Sequence, residues 1–211
     1  MEPLERRIKE AQQSIRVLEE MVQDMVADDP RDRLCIKAAD YSVELASGLV
    51  LLVESGHSAA AAALTRPVIE ASLTSLYFLF CSPLQWATAI ERGDGYLPKF
   101  SRMLAACSKI PEIGPNLRGI DITTFHQLTH GDAMQLNRRM TGGPAFGIET
   151  QAMQVMLAYV LAIASAQCAV VAGGREHLQE VLHRLRAEAI SPFGTLESNA
   201  LSQFWMTRPV R

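Results

Sequence analysis

From Leu4 to Met25 apolar residues recur in alternating steps of four and three: Leu4, Ile8, Ala11, Ile15, Leu18, Val22 and Met25. Glu, Arg, Lys, Gln and Asp fill most positions between them. This spacing predicts an amphipathic helix with one narrow apolar stripe, ended by Asp28-Asp29-Pro30. A second helix is expected from about Arg31 to Ser55, with Gly56 as its C-cap. Its core stripe is Ile36, Ala39, Val43, Ala46, Val50 and Val53, and Leu45, Leu49 and Leu52 add a second apolar face. Such a helix belongs deep in a bundle, touching several neighbours. The third, residues 58 to 81, starts at a capping Ser58 and the helix-forming run Ala59 to Ala63. Pro67 lies inside it, so a kink is expected there, with the Ala63 carbonyl left without its usual donor.

The middle of the chain is less regular. Leu84 to Arg92 reads as a short helix, stopped by Gly93-Asp94-Gly95, and Leu97 to Lys109 as another. Ile110 to Gly119 holds two prolines and two glycines and reads as loop. Asp121 can cap a helix through Thr129, and Asp132 can restart one that Gly142-Gly143-Pro144 ends. From Thr150 to Gly174 there is no formal charge, and length alone makes this stretch a transmembrane candidate. Gln151, Gln154, Ser165 and Gln167, the many small residues, and a stripe of Met153, Met156, Val160, Ile163 and Val170 assign it instead to the centre of a bundle. Glu176 to Ala189 is a last amphipathic helix. The tail from Ser191 has no period, and its Phe193, Phe204 and Trp205 suggest docking on the body or on a partner. No stretch alternates as a strand would. The expected fold is all-α, an up-and-down bundle of five to seven helices over residues 1–190 with a tail at 191–211. The narrow stripe of the first helix also suits packing across a homodimer.

Composition narrows the function only coarsely. The chain has 211 residues, 48% of them hydrophobic and 20% charged, enough for a sizeable core. Twenty Lys and Arg against 23 Asp and Glu give a net charge of −3, which does not support a broadly basic nucleic-acid binder. The charged start, MEPLERRIKE, lacks the apolar segment of a secretory leader. Cys35, Cys81, Cys107 and Cys168 form no C-x-x-C pair and read as separate buried thiols in a reducing, cytoplasmic setting.

Nucleotide-binding glycine loops, the G-x-S-x-G elbow and H-E-x-x-H are absent from the sequence. Two constellations carry chemistry. Arg66 and Glu70 stand four apart on the otherwise apolar third helix, with Tyr77 on the same face. Opposite charges in such a helix must pair or face a wet cavity, and breaking a fully buried pair costs about 3–5 kcal/mol. The bland role is an ion pair that ties the kink to a neighbour. The second constellation is His126 and His130, four apart, followed by Asn137, Arg138 and Arg139. If helical, His126, His130 and Asn137 share a face. The imidazoles could act as general acid and base, or could hold a metal with Glu70 or Asp132 as third ligand. Arg138 and Arg139 suit an anion such as a phosphate. The alternative for each His is a surface or capping role.

The run "TRPVIEASLTSLYFL", followed about sixty residues later by "FHQLTHGD", resembles a group of bacterial helical proteins with an R-P-x-x-E helix and a later His-Gly step. That group is similar to the HEPN superfamily of helical bundles, and the resemblance spans roughly residues 35 to 140. It implies a metal-independent ribonuclease of a toxin or phage-defence system, acting as a homodimer without cofactor or membrane, with RNA and an antitoxin or other protein as partners. The superfamily signature is Arg, four to six residues, then His. His130 fits the His, while Thr123, Thr124 and Phe125 occupy the places for the Arg. Arg66 is then the residue expected to supply the guanidinium in space, across one cavity from His130. On this reading Arg66, Glu70, His126 and His130 are catalytic, and Asn137, Arg138, Arg139 and Tyr77 bind substrate. A non-catalytic helical interaction module and a metal-dependent bundle enzyme using His126 and His130 are the alternatives.

Overall fold

The computed structural model describes residues 3–111, 114–117 and 148–173. Among them there are helices and no strand: α1 (Pro3–Gln23), α2 (Pro30–Glu54), α3 (Ser58–Phe80), α4 (Leu84–Glu91), α5 (Phe100–Cys107), α6 (Gly114–Leu117) and α7 (Ile148–Gly173). The protein is an all-α helical bundle. Its centre is α2, which packs chiefly against α3 and α7, with α1 laid across α2 and α7.

The stripes of α1 and α2 face inward as their spacing requires. Ile8, Ala11, Ile15, Leu18 and Val22 are buried, as are Ile36, Ala39, Val43, Ala46, Leu49, Val50 and Val53. Leu4, Met25, Leu45 and Leu52 border the same core. The stripe of α1 is therefore satisfied within the chain, on α2 and α7.

Caps set the turn between α1 and α2. Asp29 is the N-cap of α2, and its carboxylate accepts from the Arg31 backbone N–H at 2.8 Å. Pro30 takes the first helical position, where a missing N–H costs nothing. The Arg31 guanidinium donates two more bonds to the same carboxylate, at 3.0 and 2.8 Å. These bonds hold the Asp29 carboxyl below its ordinary value. Because the folded value is the lower one, the stabilisation is complete above the ordinary value near 3.8 and disappears as pH falls through the depressed one. Asp29→Ala should cost about 1 kcal/mol at neutral pH in a denaturant titration, and less below pH ~3.

At the other end of α2, Ser55 is the C-cap and Gly56 the residue after it. Gly56 has φ +75°, a left-handed conformation that glycine adopts without a side-chain clash. The Gly56 and His57 N–H groups donate to the Val53 and Leu52 carbonyls, closing a Schellman turn that reverses the chain into α3. Ser58 is not the cap of α3: His57 holds that place without a side-chain bond. The Ser58 hydroxyl instead accepts from Gln151 Nε2 at 2.9 Å, and its carbonyl accepts from Gln154 Nε2 at 3.3 Å. These bonds join the starts of α3 and α7.

Midway along α2, Ser165 of α7 donates to Ser42 Oγ at 2.9 Å. Ser42 in turn reaches the Val68 carbonyl of α3 at 3.5 Å. At the far end Gly173 closes on Met25 and Val26. Helix α7 thus runs antiparallel to α2 and alongside α3.

Helix α7 is long and apolar enough to cross a membrane, yet 67% of its apolar window is buried inside the fold. The buried face differs from the stripe that the large residues suggest. Met153, Met156 and Val160 are exposed, while Ile163 and Val170 are buried. The inward face is Val155, Ala158, Tyr159, Ala162, Ala166 and Ala169. Alanines let the α7 backbone approach α2 closely, so the small residues mark the contact.

The short helices are trimmed by local chemistry. Helix α5 begins at Phe100, because Lys99 is extended at ψ 146°, just after Pro98. The proline- and glycine-rich stretch expected as loop contains the single helical turn α6. The expected elements at 121–129, 132–142 and 176–189, and the tail from Ser191, lie outside the described residues.

Candidate functional site

Arg66, Glu70, Thr74 and Tyr77 follow one another along one face of α3, at spacings of four, four and three. The helix continues through Pro67 to Phe80. Arg66 Nε donates to Glu70 Oε1 at 2.8 Å, so the two charges are paired along the helix. Their side chains are 25% and 36% exposed. Of the two placements expected for these charges, paired or facing a wet cavity, the pairing is present, and both side chains keep partial access to solvent. Solvent reaches both groups, and the penalty for separating them falls accordingly.

One turn further, the Thr74 hydroxyl donates to the Glu70 carbonyl at 2.7 Å and meets Met103 Sδ of α5 at 3.8 Å. Tyr77 lies deeper, 5% exposed, with Trp86 of α4 edge-on at 6.4 Å. Burial pushes its phenol above the ordinary value, and the Cys81 and Cys107 thiols nearby add to the shift. The face thus runs from a half-open ion pair into a closed aromatic core. Arg66 and Glu70 are brought together at the open end, and Tyr77 is packed at the closed end.

His126, His130, Asn137, Arg138 and Arg139 lie outside the described residues, as does Asp132. Among the described residues no group of three His, Cys, Asp or Glu side chains is arranged to hold a metal ion.

Two groupings have no signal in sequence spacing. Arg33 at the start of α2 grips Glu91 of α4 with two parallel bonds, Nε to Oε1 and Nη2 to Oε2, both 2.8 Å. Its Nη1 also donates to the carbonyls of Ala27 and Asp28. This guanidinium holds the Glu91 carboxyl below its usual range and fastens the α1–α2 turn to α4. The second grouping is Cys81 with Cys107, whose sulfurs are 4.0 Å apart. Cys81 is only half-buried, and its sulfur meets that of Cys107, so the reading of four separate buried thiols fails for this pair, while Cys35 and Cys168 are buried.

The partial exposure of the ion pair sets its energetic weight. A double-mutant cycle of Arg66→Ala and Glu70→Ala should give a coupling of about 0.5 kcal/mol. Raising the salt concentration should shrink that coupling further. A coupling of several kcal/mol would mean that the pair is sealed from water.

A family model matches residues 39–191, which covers most of the chain, from within α2 to beyond α7. The chain belongs to DUF6988, a family of unknown function. No curated protein and no solved structure matches it. Arg66, Glu70, Tyr77, Cys81 and Cys107 all fall inside the part that defines the DUF6988 match, as do His126 and His130. Helix α1 precedes it, although it packs on α2 and α7.

Proposed function

We propose that this DUF6988 protein is a HEPN-like helical bundle that cleaves RNA without a metal ion, as a cytoplasmic homodimer in a toxin or phage-defence system. The observation that supports the reading best is the Arg66 guanidinium, held by Glu70 at 2.8 Å on a half-open face of an otherwise apolar helix. A fixed, permanently charged donor that water can reach is what a phosphodiester site needs. In this scheme His130 exchanges the proton of the attacking ribose hydroxyl or of the leaving oxygen, with His126 as the complementary acid or base. Arg66 neutralises the charge that develops on the phosphate oxygens, and Glu70 orients Arg66. Asn137, Arg138 and Arg139 hold flanking phosphates. Tyr77 supports the helix from the core side, because its ring is buried.

Expression in a bacterial host tests the scheme. The wild type should arrest growth, and His130→Ala at equal soluble level should not. Arrest by both proteins, or by neither, counts against catalysis.

A second reading, a non-catalytic interaction module, draws on two observations. Glu70 already pairs with Arg66, as a purely structural bond would have it. Met153, Met156 and Val160 also present an exposed apolar edge on α7. A metal-dependent enzyme using His126, His130 and Glu70 or Asp132 would be distinguished by stoichiometric metal in the purified protein.

A further inference from the structure

Cys81 and Cys107 are 26 positions apart in the chain, and their sulfurs are 4.0 Å apart in space. Each stands at a helix end: Cys81 is the C-cap of α3, and Cys107 is the last residue of α5. Helix ends move more readily than helix middles, so a closing shift of about 2 Å between the sulfurs needs little rearrangement. The two thiols differ in access. Cys81 is half-buried and Cys107 is fully buried.

We propose that Cys81 and Cys107 form an oxidisable dithiol that a hydroperoxide closes to a disulfide, clamping the end of α3 to the end of α5. In the first step the Cys81 sulfur, its proton lost to solvent, attacks the distal oxygen of hydrogen peroxide. The O–O bond breaks, the leaving hydroxide takes a proton back from solvent to become water, and Cys81 becomes a sulfenic acid. In the second step the Cys107 sulfur attacks the Cys81 sulfur. The S–S bond forms, the S–OH bond breaks, and the hydroxide leaves as water with the Cys107 proton. Two thiols lose two electrons in all, and one peroxide is reduced to two waters.

The surroundings make this a slow reaction rather than a hair-trigger sensor. The hydrogen bond with Cys81, together with burial, pushes the Cys107 thiol well above its ordinary range. Both thiols also sit at the negative ends of helices, where a thiolate is disfavoured. Sustained or alkaline peroxide therefore closes the pair, and a small dithiol reopens it. The clamp bears on the ion-pair face, because α5 rests Met103 against Thr74, whose hydroxyl holds the Glu70 carbonyl. Oxidation fixes α5 against that face whether or not the chain cleaves RNA.

The test treats the intact chain with hydrogen peroxide, blocks remaining thiols after denaturation, and maps the peptides. The expected result is a Cys81–Cys107 cross-linked peptide, lighter by two hydrogens and released by dithiothreitol. The melting temperature of the oxidised chain should rise by about 5–10 °C. Cys81→Ser and Cys107→Ser should each abolish both changes, and Cys35→Ser should abolish neither. The wild-type peptide map decides the matter even if a serine variant fails to fold. Cys81 driven to sulfinic acid with Cys107 still reduced, or a bridge from either cysteine to Cys168, would overturn the proposal.

Discussion

Ala162→Glu should cost about 3–5 kcal/mol of stability, while Val160→Glu, two residues earlier on the same helix, should change it by less than about 0.5 kcal/mol. Ala162 is fully buried, and Val160 is 47% exposed. A carboxylate at 162 would be forced into the contact between α7 and the rest of the bundle without a partner. An uncompensated buried charge costs about 3–5 kcal/mol, a large share of the stability of a domain this size. At 160 the same group would stay in water. A helix that crossed a bilayer would give another pattern, because a carboxylate facing lipid at mid-helix costs about 2.5–3.5 kcal/mol by insertion scales. Denaturant titration of the two variants in detergent-free buffer checks this. Equal losses at both positions would contradict the placement of α7 as a core helix with one open edge.

The second large effect is expected at Phe78, which is 2% exposed near the end of α3 and edge-on to Tyr77 at 5.8 Å. Truncation to alanine removes a whole ring from the core and leaves a cavity that rigid helices fill poorly. Such losses run to about 3–5 kcal/mol. For a chain of this length they should lower the melting temperature by roughly 6–20 °C. Phe80, two residues on, is only partly buried at the edge of the core, so Phe80→Ala should cost clearly less. Differential scanning calorimetry compares the two. A Phe78→Ala variant that melts within about 2 °C of the wild type would show that the α3 terminus is loosely packed.

Elements with a strong amphipathic period were legible from the sequence. In α1 and α2 the polar residues between the stripes leave one way to bury the apolar side, and the stripes are buried as their spacing implies. Helix α7 has no such contrast. Apolar residues occur all round it, and choosing its largest side chains selected Met153, Met156 and Val160, which are exposed. The signal lay in Ala158, Ala162, Ala166 and Ala169, whose small size permits close backbone contact. The same small residues that mark the helix as central also mark its inward face.

The candidate site divides the same way. Arg66 and Glu70 share a helix, so a spacing of four places them in contact whatever the tertiary fold. Their half-exposure depends on what stands opposite, which spacing does not encode. Arg33 with Glu91 and Cys81 with Cys107 meet only because α4 and α5 fold back onto α2 and α3. Capping lies between these cases. Asp28-Asp29-Pro30 is legible as the break after α1, and in the structure Asp29 and Pro30 also start α2, as its N-cap and first residue. Ser58 alone is weaker, and its hydroxyl is used by Gln151.

The proposed function joins Arg66 and His130 in one metal-independent RNA-cleaving site. Incubating purified protein with single-stranded RNA in excess EDTA tests it most directly, with the cleavage rate as readout. The wild type should cleave the RNA at a rate that EDTA does not reduce. His130→Ala should slow it by about 100- to 10,000-fold, and Arg66→Ala by about 100-fold or more. Absence of cleavage by the wild type, activity that the chelator abolishes, or full activity in His130→Ala would contradict it.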